Sequence, residues 1–130
     1  MNKKIKWIAI LTIIIAIITL IFMLNKDDDY IEITETNPRS GTHSTNGDVK
    51  VTCSVKKDTS KKINFWVKNN SQVSVRISID DKIHKTLAPG EDGDINTSPS
   101  FFKTNYNFRI GATPNGGNID IEYEISLIDS

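Results

Sequence analysis

From Val49 to Leu127 the chain returns five times to one pattern, an apolar residue at every second position. Val49, Val51, Cys53 and Val55 alternate with Lys50, Thr52, Ser54 and Lys56. The same period runs through Ile63, Phe65 and Val67, through Val73, Val75, Ile77 and Ile79, and through Tyr106, Phe108 and Ile110. It ends with Ile119, Ile121, Tyr123, Ile125 and Leu127. Side chains of an extended strand point alternately to opposite faces, so each run has one core side and one wet side. Such runs are half-buried strands, and nothing after residue 24 shows a helical period.

The links between runs carry turn chemistry. Asp80-Asp81 suits a tight hairpin. In Pro89-Gly90, Pro presets φ and Gly accepts a positive value, the requirement of a type II turn. Asn69-Asn70-Ser71-Gln72 joins two runs, and Pro114-Asn115-Gly116-Gly117 is expected to close a hairpin between the last two long strands. Tyr30–Thr36 is β-branched and reads as an edge strand or a stalk. Residues 37–48 are polar and rich in turn formers, and are expected as a loop. The fold class predicted is all-β, an antiparallel two-sheet sandwich of seven or eight strands or a small barrel.

A different segment precedes it. Trp7–Leu24 is an uncharged run of apolar residues and threonines. Its eighteen residues make a helix of roughly 27 Å, close to the hydrocarbon thickness of a bilayer. A cleaved signal peptide would need small residues before the cut. From Leu20 to Asp27 the chain has no small pair, and no cysteine follows the run to take a lipid. Nor does the run carry the preceding glycine and internal glutamate of a type IV pilin. A single transmembrane anchor is expected. Lys3, Lys4 and Lys6 lie before the span and a single Lys26 just after it, which places the N-terminus in the cytoplasm and the rest outside. The divisions that follow are a cytoplasmic stub and anchor over 1–29, a stalk or loop over 30–48 and an extracellular β-sandwich domain over 49–130. The partner of residues 7–24 would be membrane lipid.

The charge balance excludes one class of function. Sixteen basic residues match sixteen acidic ones. Subtracting the four lysines and three aspartates up to residue 29 leaves 12 basic and 13 acidic residues, with both signs interspersed. A nucleic-acid binder needs a basic excess to neutralise phosphates, so no nucleic-acid partner is expected. Cys53 stands alone, which forbids an internal disulfide, and is read as a small buried apolar side chain. An exported chain without disulfides fits the surface of a Gram-positive bacterium.

Three stretches carry a resemblance: F-W-V-K-N-N at 65–70, T-L-A-P-G-E-D-G at 86–93 and P-N-G-G-N-I-D-I-E-Y at 114–123. Over residues 65–129 the chain resembles a group of small uncharacterised exported β-sandwich domains of Gram-positive bacteria. The resemblance implies the sandwich fold and no activity.

Candidate chemistry is sparse. His43 and His84 sit in a polar stretch and a strand, and no glycine-flanked serine makes a nucleophile elbow. Glu91, Asp92 and Asp94, with Asp80-Asp81, are oxygen-rich but lack the spacing of a calcium loop, and are read as solvated turn residues. No catalytic residue, metal site or cofactor is expected. Phe101-Phe102 would place one aromatic on each side of a strand or anchor a loop, with core packing the favoured reading. Trp66 is the candidate for binding. Parity turns it away from Ile63, Phe65 and Val67, beside Asn64 and Lys68. The expected function is a membrane-anchored binding or spacer domain of the cell envelope, contacting a cell-wall polymer or an envelope protein. The alternatives are an accessory subunit of a membrane assembly and an enzyme acting on wall polymers.

Overall fold

The computed structural model describes residues 3–25, 31–57 and 59–130, with side chains of the N-terminal helix described through residue 18. That helix, α1, spans Lys3–Asn25. Its large apolar side chains from Ile5 to Ile18 are all exposed, so no single stripe faces a core. Among the described residues no helix is long and apolar enough to cross a membrane. The apolar run itself continues past the described side chains to Leu24. Lys26–Asp29 and Tyr30 lie outside the described residues.

Nine strands follow: β1 Ile31–Glu32, β2 Arg39–Thr45, β3 Val49–Ser54, β4 Lys62–Asn69, β5 Ser74–Ile79, β6 Ile83–Leu87, β7 Asp92–Thr97, β8 Asn105–Thr113 and β9 Ile119–Ile128. They form a five-stranded sheet, β1-β3-β8-β5-β6, and a four-stranded sheet, β2-β9-β4-β7. Every pairing is antiparallel except the short parallel contact of β1 with β3. The alternation read from the sequence decides which side of each strand is buried. Val51, Cys53, Ile77, Phe108 and Ile110 face inward from one sheet, and Ile63, Phe65, Val67, Ile121 and Ile125 from the other. Phe65 and Phe108 meet edge to face across the two layers, ring centroids 5.1 Å apart. Cys53 is part of this interior, fully buried, and burial pushes its thiol up from the ordinary value.

Several expectations need correction. Residues 39–45, expected as loop, form β2 and pair along β9. Their polarity suits an edge strand that covers the core with its backbone. Gly41 lies opposite Tyr123, where an added Cβ would come within 2.9 Å of the ring, and His43 stacks on the same ring at 5.9 Å. The sheets therefore take in chain well before residue 49. Asp92 and Asp94, expected in a turn, belong to edge strand β7 on the other side of that sheet. The 114–118 link does not close a hairpin, because β8 and β9 lie in different sheets. Among the described strands, β5–β6 is the consecutive pair that stays within one sheet, turning through Asp80 and Asp81 with positive φ at both. Asp is among the residues that tolerate this conformation best. Pro89-Gly90 turns as expected, with Gly90 at φ 81° and Glu91 N donating to Ala88 O at 3.0 Å. Phe101 and Phe102 do not pack in the core; they are 80% and 94% exposed.

Candidate functional site

β4 runs between β9 and β7, so its outward side chains stand in the middle of the outer face of the four-stranded sheet. Trp66 lies opposite Glu124 on one side and Asp94 on the other. Lys68 lies opposite Glu122 and Asp92, and Asn64 opposite Ser126 and Asn96. Parity put these three residues on one face, and the register confirms that placement. Trp66 is nevertheless half-buried, because its neighbours close on it. The indole Nε1 donates to Asp92 Oδ2 at 3.1 Å, across the diagonal of the β4–β7 ladder. Two residues along, Asn64 Oδ1 is buried without a hydrogen-bond partner among the described residues. An unmet buried acceptor costs roughly 1–3 kcal/mol.

The chemistry around Trp66 narrows what the face can hold. An aromatic face flanked by Asp92, Asp94 and Glu124 offers stacking and acceptors, with Lys68 as the near cation. Hydroxyl groups of a sugar or ammonium groups of a protein fit such a surface. A phosphate polymer would meet the carboxylates at close range, and like charges repel.

A second cluster, which the sequence did not suggest, lies on the outer face of the five-stranded sheet. There Asp48, Arg76, Ser78, Asp81, His84 and Arg109 line a shallow cavity of about 270 Å³. Ser78, 5% exposed, lies opposite both His84 on β6 and Arg109 on β8. Asp48 accepts from Arg109 Nε at 2.7 Å, and this partner raises the guanidinium further above its ordinary value. A hydroxyl and an imidazole on neighbouring strands invite the idea of a nucleophile and its base. No hydrogen bond joins Ser78 to His84 among the described residues, and His43 is on the other sheet. The cluster came from long-range pairing. β8 inserts between β3 and β5, which the turn residues alone could not reveal.

Among the described residues no group of three or more His, Cys, Asp or Glu is placed to hold a metal ion. Comparison with protein-family models, curated proteins and solved structures gives no match.

Proposed function

We propose that this chain is a membrane-anchored extracellular domain of the bacterial cell envelope, without enzymatic activity, which binds or spaces a wall polymer or envelope protein through the Trp66 face. The observation that carries the reading is α1. Its described apolar side chains are exposed on every side of the helix, and the uncharged run continues to Leu24. A helix apolar all round needs a surrounding core or a bilayer, and this sandwich has already filled its own core. The lysines before the run favour a cytoplasmic N-terminus. The resemblance to exported sandwich domains of Gram-positive bacteria points the same way.

Trp66 supports the binding half of the proposal. It is a large, half-buried aromatic on the outer face of the sheet, with acceptors on both sides. Tryptophan is enriched among interface hot spots.

The test uses full-length protein in native membranes. It should remain there through high salt and alkaline carbonate, and the detergent-extracted protein should be retained on wall material. Trp66→Ala should weaken that retention by up to about tenfold. Fully burying an exposed large apolar side chain gains roughly 1.5–3 kcal/mol, the half-buried indole has about half of that left to gain, and 1.4 kcal/mol is one factor of ten. Undiminished retention of the Trp66→Ala variant would move the binding surface elsewhere. Release by carbonate would remove the anchor.

A further inference from the structure

The loop between β7 and β8 puts its two phenylalanines into solvent in an unusually deliberate way. Among the described residues of the sandwich, the exposed large hydrophobics are Ile31, Phe101 and Phe102. All three lie toward one end. β8 begins at Asn105 opposite Ser54, and Val55 N donates to Thr104 O at 2.8 Å, so the 98–104 loop caps the end where β3 finishes. Ile31 pairs with Cys53, one residue short of the end of β3. It therefore stands within roughly 7 Å of that end along the strand axis.

The loop is built rather than loose. The Tyr106 hydroxyl accepts from Ser100 N at 2.9 Å and donates to Lys103 O at 3.2 Å, clipping both shoulders. Phe102 N donates to Ser100 Oγ at 3.2 Å. Lys103 reaches Asp80 at 2.8 Å, and its ammonium stands 5.6 Å from the centre of the Tyr106 ring. The two phenyl rings project from this braced platform. The exposed Lys56 and Lys57 follow β3 at the same end.

This end is also where the chain arrives. Five residues, 26–30, separate α1 from Ile31. Six Cα steps reach at most about 20 Å. If α1 lies in a bilayer, the Ile31 end of the sandwich is tethered within that distance of its surface.

We propose that the 98–104 loop is a second membrane contact, in which Phe101 and Phe102 insert at the boundary between headgroups and acyl chains. The proposal rests on the anchor reading of α1. Phenylalanine is among the side chains that surface-bound segments bury at that boundary, driven by the removal of apolar area from water. Contact at this end stands the sheets upright on the membrane, which leaves the Trp66 face open sideways to the envelope.

The experiment uses the full chain in vesicles of phosphatidylcholine and phosphatidylglycerol. An environment-sensitive fluorophore is attached to the thiol introduced by Phe102→Cys; Cys53, with no exposed surface, stays unlabelled. The same label introduced by Asn115→Cys, in the link before β9, is the control. A lipid carrying a nitroxide near its headgroup should quench the label at position 102 several-fold more than at 115. Equal, weak quenching at both positions, in protein that floats with the vesicles after carbonate, overturns the loop contact and leaves the anchor standing. A protein partner on the loop would give that same result in these protein-free vesicles. Protein that fails to float ends both readings.

Discussion

The two ends of the sandwich are finished in opposite ways. At the end away from the Phe101-Phe102 loop, Asn69 is completely buried and every polar group on it is used. Its Nδ2 donates to Val73 O at 2.8 Å and Leu87 O at 3.1 Å, and its Oδ1 accepts from Ser71 N at 2.9 Å. Its backbone N donates to Glu91 O and its carbonyl accepts from Gly90 N, so one residue ties the β4–β5 crossing to the β6–β7 turn. Ser71 extends the tie to the backbone of Asp120. At the other end Tyr106 is the brace, and what it holds up is apolar and exposed. One end spends its hydrogen bonds on closing the fold. The other spends them on presenting two side chains that the fold does not need.

Both ends stand on one core, and the largest expected effect comes from removing it. Phe65→Asp or Ile121→Asp should unfold the domain, seen as loss of the sheet signal in circular dichroism. An unpaired buried charge costs several kcal/mol against a typical stability of roughly 5–15 kcal/mol. Glu122→Ala, on the outer face of the same strand as Ile121, should change little. Next comes Asn69→Ala, which orphans Ser71 N and two carbonyls at the closed end. The expected cost is about 3 kcal/mol, or a fall in melting temperature of more than about 10 °C. A smaller fall would mean water replaces the amide and the end is less closed than its hydrogen bonds suggest.

At the braced end, Tyr106→Phe removes the hydroxyl that holds the shoulders of the loop. A cost of about 1 kcal/mol is expected, with faster amide exchange confined to residues 100–104. Phe101→Ser with Phe102→Ser should leave the melting temperature of the detergent-solubilised chain within about 1 °C, since neither ring packs on the fold. A marked loss would place the rings in the core after all. The smallest effect belongs to the terminal ion pair. Asp129 accepts from Lys61, which holds its carboxyl below the ordinary value, so the pair contributes above the usual carboxylate range and is lost as pH falls through that lowered value. Asp129 is open to solvent and Lys61 partly so, and Asp129→Asn should shift the acid-unfolding midpoint barely beyond measurement error.

The interior was legible because alternation is a local property. β3, β4, β5, β8 and β9 each carry their buried side in a run that needs no partner to be seen, and Trp66 follows by the same parity. The two edge strands of the four-stranded sheet were not legible. β2 reads R-S-G-T-H-S-T and β7 reads D-G-D-I-N-T, with Ile95 as the one large apolar side chain in either. An edge strand is held by its neighbour's backbone, and that leaves little trace in its own residues. Sheet membership was hidden for a related reason. Pro114–Gly117 has the residues of a hairpin turn, but Ile119 pairs with Thr45 and Ile63 pairs with Leu127, long-range choices that no turn residue encodes. Asn69 read only as a turn residue, since its bracing role lies in three partners spread from Ser71 to Leu87.

The anchor is the claim on which the rest depends, and the intact mass of the protein extracted from carbonate-washed membranes tests it most directly. The full chain, 14.6 kDa with its N-terminal residues in place, is the predicted result. A shorter form in the medium, beginning between residues 25 and 31, would show that the apolar helix is removed and that the sandwich acts free of the membrane.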